Sequence, residues 1–262
     1  MITKLTPKIK ALIIDFDGVL WRGHEPIGSL PEVFAALQTG GWRLAFATNN
    51  SMYTPQHYQA RLEKMGVKLT DPLIITSAMA VAFALKQKYP KGGPVYIFGE
   101  EGLRAALQDA GFWHQEHDVL AVVAGLDRGL TYDKIRTAAS LIRQGAAFYG
   151  TNPDKTYPTP EGLAPGAGAA LAAIEAASGT SPLIAGKPFP TLFEAARARL
   201  DAQPQETLVI GDRLDTDILG GQRAGMRTAL VLSGVSRREE LEEWHPRPDL
   251  VAETLADLIR QP

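Results

Sequence analysis

The sequence predicts an α/β fold: a parallel sheet flanked by helices, with a second α/β domain inserted into it. Three observations predict it. Short apolar runs end again and again in glycine or polar residues, helical patterns stand between those runs, and the middle of the chain holds enough strands and helices for a core of its own.

The first run, Ala11-Leu12-Ile13-Ile14, ends in Asp15-Phe16-Asp17-Gly18, and the second, Leu44-Ala45-Phe46-Ala47, ends in Thr48-Asn49-Asn50-Ser51. Leu183-Ile184-Ala185 ends in Gly186-Lys187-Pro188, Thr207 to Ile210 in Gly211-Asp212, and Thr228 to Leu232 in Ser233-Gly234. Runs this short, bounded by turn residues, read as buried strands. Helices are expected over 31–38, before Gly40-Gly41, and over 56–64, 191–200 and 218–224. In open sheets of this kind ligands bind beyond the carboxyl ends of the strands, where the polar punctuation falls.

From about Ala78 to Pro182 the chain offers three more strands, within 95–98, 119–123 and 147–149, and three helices, within 101–110, 132–143 and 167–177. This segment reads as the inserted domain, residues 78–182, dividing a core made of residues 1–77 and 183–262. The stretch after Val235 reads as a solvated helix and a loop, with Leu250 to Arg260 as a closing element.

Hydrophobic residues make up 45% of the 262, charged residues 21%, and the formal net charge is −2. That is ordinary for a globular protein large enough to bury its own core. There is no cysteine, which excludes disulfides, thiolate catalysis and cysteine-held metal. No basic tract suggests nucleic acid or an anionic membrane. Asp15 and Asp17 interrupt the first apolar run, so a signal sequence is not expected there, and no run reaches the roughly 20 apolar residues of a membrane span. The expectation is a soluble cytoplasmic protein.

Asp15 and Asp17 alternate at a strand end, so their side chains point the same way. Such a pair suits magnesium, a hard ion that takes oxygen ligands, and a carboxylate can also attack phosphorus. Taken alone, the pair is read equally well as turn chemistry. The run lacks the acids of a calcium loop and the glycines of a dinucleotide fingerprint. Thr48 offers a hydroxyl to a phosphoryl oxygen, or merely caps the next helix. The backbone amides of Asn49 and Asn50 can turn toward an anion. Lys187, between Gly186 and Pro188, can neutralise phosphate, although most lysines are solvated. Asp212 can complete a magnesium site with Asp15, and Asp217 can support that metal or orient Lys187. Asp215 reads as well as a loop or helix-start acid. Together these residues make the set that phosphoryl transfer needs: positioning, charge neutralisation and a metal.

Asp15-Phe16-Asp17-Gly18-Val19-Leu20, Thr48-Asn49-Asn50-Ser51, Gly186-Lys187-Pro188 and the segment from Gly211 to Ile218 resemble, in order, the four motifs of the haloacid dehalogenase (HAD) superfamily. The inserted segment, with Thr151-Asn152-Pro153-Asp154, resembles the C2-type cap of its subfamily IIA: the NagD-like, 4-nitrophenylphosphatase and phosphoglycolate phosphatase branch. The resemblance runs over nearly the whole chain. It implies a Rossmann-like core with a capped site and a magnesium-dependent phosphomonoesterase acting through an aspartyl-phosphate. Asp15 would be the nucleophile, and Asp17 the acid that protonates the leaving group and then activates water. Thr48, Asn49 and Lys187 would bind the phosphoryl group. Magnesium would be held by Asp15, Asp212 and the Asp17 backbone carbonyl, with Asp217 behind them. Dehalogenases of the superfamily lack the acid at the Asp17 position, because a halide leaves without a proton and an alkoxide does not. Arg213 stands where others of the branch carry Asn, and Arg213-Leu214-Asp215 more closely resembles the phosphoglycolate and pyridoxal phosphate phosphatases.

Asn152, Asp154, Lys155 and Tyr157 lie in a cap loop that the resemblance turns toward the core, where they would contact the leaving group. Equally, Tyr157, Pro158 and Pro160 would only stiffen that loop. The expected partner is a small phosphorylated metabolite: a nucleotide monophosphate, phosphoglycolate, a sugar phosphate or pyridoxal phosphate. The cap would be the surface of any homodimer. The alternatives to hydrolysis are transfer of the phosphoryl group to a sugar hydroxyl and a phosphometabolite-binding protein with weak catalysis. The complete set of Asp15, Asp17, Thr48, Lys187 and Asp212 argues against the last.

Overall fold

In a computed structural model that describes residues 1–159 and 161–260, the chain forms two compact units. One comprises Met1–Thr48, Gln56–Ile75 and Pro188–Pro262, the other Asn49–Pro55 and Thr76–Lys187. Pro160, read above as a loop stiffener, lies outside the described residues.

The first unit is built on a six-stranded sheet in the order Leu250–Ala252, Arg227–Val231, Thr207–Gly211, Ala11–Ile14, Arg43–Thr48 and Leu73–Thr76. Pairing is parallel from Leu250–Ala252 through to Arg43–Thr48. Ala11–Ile14 and Thr207–Gly211 are buried at every position, as strands covered on both faces must be. Chain order reverses about Ala11–Ile14, and that reversal opens a crevice at the carboxyl ends of the two central strands. The helix Leu30–Thr39 takes Pro31 in its first turn and buries Val33, Phe34 and Leu37, as its spacing predicts.

The core of this unit gathers around Phe16. Its ring stacks on Trp21, Phe46 and Tyr58 at centroid distances of 4.9, 5.2 and 4.8 Å. Phe16 has no exposed surface.

The second unit carries an all-parallel five-stranded sheet in the order Leu183–Ile184, Ala147–Gly150, Ala121–Ala124, Gly93–Phe98 and Phe112–His114. Tyr132–Arg143 and Ala167–Ser178 pack on it around Phe98, Val122, Phe148 and Ile174. Thr131 caps the first of these helices by accepting from the Lys134 N–H, and Gly179, at φ 75°, ends the second in the left-handed conformation that glycine adopts freely.

Several elements depart from expectation. Leu183–Ile184, expected in the core sheet, pairs instead with Ala147–Gly150 at an edge of the second sheet. Two residues are too few to show in sequence which sheet they join. Phe112–His114 forms the opposite edge, Ser77–Lys88 is an additional helix, and Leu73–Thr76 an additional core strand. The long loop after Asp154 contains an antiparallel hairpin, Thr156–Thr159 with Gly162–Pro165. Among the described residues no helix is long and apolar enough to cross a membrane.

Phe16→Ala would remove the ring at the centre of the aromatic stack and should lower unfolding free energy by about 3–5 kcal/mol, read by urea titration. A loss under about 1 kcal/mol would show that the stack does not organise this core.

Candidate active site

The site of the first unit begins where the Ala11–Ile14 strand stops. The Asp15 N–H donates to Ile210 O at 2.9 Å, so the sheet ladder still holds the backbone at that residue. Phe16, at the bend that follows, is buried in the core, while Asp15 is half-buried and Asp17 exposed. A tight turn follows, with Leu20 N–H donating to Phe16 O and Gly18 N–H to Trp21 O, both at 2.8 Å. Asp17 is exposed, and its Oδ1 accepts from the Trp21 indole N–H at 2.8 Å.

Asp212 follows the neighbouring strand and is 2% exposed. Its Oδ2 accepts from Val235 N–H at 2.8 Å, and its carbonyl accepts from Ser236 N–H at 3.0 Å. A Cβ at either Gly18 or Gly234 would run into the Asp212 carboxylate. Gly18 also sits at φ 79°, so this turn needs glycine for its backbone as well as for its space. Ser233 Oγ donates to Gly18 O at 2.6 Å and ties the two loops together.

Asp217 lies in a π-helical turn, Leu214–Ile218, that precedes the helix Leu219–Arg223. The sequence spacing predicts one continuous helix from 218. The turn instead winds earlier and wider, with Asp217 N–H and Ile218 N–H both donating to Arg213 O. Asp217 Oδ2 accepts from Arg213 N–H at 3.2 Å and from Thr216 Oγ1 at 3.4 Å. A Cβ at Gly211 would strike the Asp217 side chain. Asp215 points away from this cluster in function: its carboxylate forms a bidentate pair with Arg213 at 3.0 and 2.8 Å.

Carboxylate oxygens of Asp15, Asp212 and Asp217 lie within 4.8 Å of one another, and the last two residues are buried. Three acids this close repel unless a cation or protons intervene. An all-oxygen donor set walled by glycines fits a small hard divalent cation. Asp217 thus stands beside Asp15 and Asp212, where the sequence suggested a supporting position. Thr48, 3% exposed, ends the Arg43–Thr48 strand of the same unit.

The remaining candidates belong to the second unit. Asn49 uses its side chain on protein neighbours: Nδ2 donates to Asp154 Oδ2 and to Lys187 O, both at 3.1 Å, and Oδ1 accepts from Lys187 N–H at 2.8 Å. Contact with an anion is therefore left to its backbone. Asn152, 4% exposed, donates to Asn49 O at 2.7 Å and accepts from Asp154 N–H at 3.1 Å. Gly186 has no room for a Cβ among Thr151 O, Asn49 Oδ1 and Asn152. Lys187 is 3% exposed, so it is not one of the solvated majority. Lys155 is exposed, and Tyr157 packs against Met52, Leu126 and Ala167. Sequence reasoning missed Trp21 and the Ser233–Val235 loop. The first reads as ordinary core, and the second was visible only as polar punctuation after a strand.

The family described as haloacid dehalogenase-like hydrolase matches residues 12–113, and that described as HAD-hydrolase-like matches residues 184–258. A dihydroxyacetone phosphatase from Corynebacterium glutamicum is 39% identical over 94% of this chain and 89% of its own length. A 5'-nucleotidase from Bacillus subtilis is 35% identical over 95% of this chain and 97% of its own. Among solved structures, NagD from E. coli superposes with a TM-score of 0.89 at 35% identity, covering 95% of this chain and 98% of that one. A glycerol phosphate phosphatase from Mycobacterium tuberculosis, in complex with magnesium, does so at 0.89 and 34% identity, covering 97% and 78%.

A cation held by the three carboxylates should raise stability by about 2.7 kcal/mol at a hundredfold excess over its dissociation constant. Melting curves across a magnesium titration should move upward, and Asp212→Asn should abolish the movement. Curves of the native chain that ignore magnesium would contradict the assignment.

Proposed function

Because the chain belongs to the haloacid dehalogenase-like hydrolases, on their NagD-like branch, and is a phosphomonoesterase of small phosphorylated molecules, we propose that Asp15 and Asp17 divide its chemistry between them. One observation carries this division: Phe16, buried between them, leaves two carboxylates at one strand end in unlike settings. Asp15, half-buried, stands in the acidic cluster beside two buried partners, and Asp17 stands exposed with the Trp21 indole N–H on its Oδ1.

An Asp15 oxygen attacks phosphorus as the ester P–O bond breaks, giving an aspartyl-phosphate. Asp17 gives its proton to the departing oxygen. The Asp17 carboxylate then takes a proton from water, whose oxygen attacks the same phosphorus. Inorganic phosphate leaves and the Asp15 carboxylate is restored. Asp15, Asp212 and the Asp17 carbonyl, with Asp217 beside them, would hold magnesium, which would supply positive charge against the phosphoryl oxygens. Thr48 offers its hydroxyl to the phosphoryl group, Asn49 its backbone N–H, and Lys187 its charge. The burial of Lys187 and the grip of Asn49 on its backbone support a fixed cation over a solvated one.

Lys155 and Tyr157 are proposed contacts for the leaving group, since both follow the Asn152–Asp154 turn, Lys155 directly before the hairpin and Tyr157 within it. Replacing both with alanine should reorder activity across a panel of phosphate esters. An unchanged order would remove them from the substrate site. Asp15→Asn should abolish turnover with the melting temperature retained, and substantial magnesium-dependent activity in it would refute the nucleophile assignment. Asp17→Asn should slow turnover by about 100-fold or more.

A further inference from the structure

The Asp17 carboxylate must present one oxygen to the leaving group and later to water, in a fixed place. An exposed aspartate has two freely turning torsions and two equivalent oxygens, so something has to choose between them. Among the described residues, the one hydrogen bond to the Asp17 side chain comes from Trp21 Nε1, at 2.8 Å to Oδ1.

Trp21 is held far more firmly than the acid it touches. It has no exposed surface, its ring stacks on Phe16 at 4.9 Å and 11°, and the Arg61 guanidinium lies 4.0 Å from its ring centroid. Arg61 in turn donates to Gly23 O in the turn after Trp21–Arg22. The backbone of Trp21 is fixed as well, by the bond from Gly18 N–H to its carbonyl and by the short antiparallel pairing of Trp21–Arg22 with Glu25–Pro26. A buried indole N–H needs an acceptor, and this one finds it in Asp17.

An indole N–H donates and cannot accept. The oxygen it faces is therefore held in the acceptor role through the cycle, the carbonyl-like oxygen whenever the acid is protonated. We propose that Trp21 is a positioning residue for proton transfer: its N–H pins Asp17 through Oδ1 and leaves Oδ2 as the oxygen that gives the proton to the leaving group and takes one back from water. The same ring packs on Phe16, the residue between Asp15 and Asp17. The proposal rests on the reading of Asp17 as the general acid and base.

The test is the dependence of rate on leaving group. A poor leaving group, such as an alkyl phosphate, needs the proton, whereas 4-nitrophenolate departs without much help. Trp21→Phe keeps an aromatic ring on Phe16 and deletes the donor. It should lower kcat/KM for the alkyl ester by roughly tenfold or more, and for 4-nitrophenyl phosphate by only about two- to threefold, with the magnesium-induced melting shift retained. Benzothienylalanine at position 21, which replaces the N–H with sulfur in a ring of the same shape, should reproduce the effect even if Trp21→Phe packs poorly. Equal losses for both esters in the benzothienyl variant, or no loss, would overturn the proposal. Asp17→Asn serves as the control. If it too lowers kcat/KM for both esters equally, the general-acid reading itself fails, and the positioning role fails with it. If it discriminates between the esters and the benzothienyl variant does not, only the positioning role fails.

Discussion

The chemistry of this protein depends on one side chain that takes no part in it. Phe16 stands between two aspartates, and its burial among Trp21, Phe46 and Tyr58 removes its ring from water. Phe16 lies at the bend that ends the strand, so its burial anchors the point where Asp15 and Asp17 leave the sheet. The hydrophobic effect on that ring therefore anchors the backbone that carries the proposed nucleophile and the proposed acid.

Once the carboxylates are aimed, their surroundings differentiate them. Asp15 shares its space with Asp212 and Asp217, and Gly18, Gly211 and Gly234 let the chain come close to the two buried members. Larger residues at these glycines would push the loops apart and dilute the charge that draws a cation. Asp17 keeps water on one side and a rigid indole on the other. Two like residues, separated by one position, thus stand in unlike settings that suit the metal-facing and proton-carrying roles proposed for them.

Much of this was legible in the sequence, for a physical reason. Central strands of a parallel sheet are buried on both faces, so they appear as apolar runs, and whatever ends them faces the crevice. That logic finds Asp15, Thr48 and Asp212 directly. It fails at the sheet edges: Leu183–Ile184 and Phe112–His114 are short and partly exposed, and pairing that contributes little burial leaves little pattern. It also fails for side chains that act on their own protein. The backbone N–H of Asn49 reads as an anion donor, but the sequence does not show that its side-chain amide spans the Lys187 backbone and Asp154, 138 and 105 residues away. Trp21 looks like core and is core. Its polar edge is what gives it a second role, and no periodicity reveals which atom of a buried ring meets a carboxylate.

The central claim is that the phosphoryl group passes through a covalent bond to Asp15. Acid quenching during turnover with radiolabelled substrate, followed by proteolysis and mass analysis, tests it directly. The account predicts label on the peptide containing Asp15, removable by hydroxylamine as an acyl phosphate should be. Label on any other residue, or direct transfer to water with inversion at a chiral phosphorus, would contradict it.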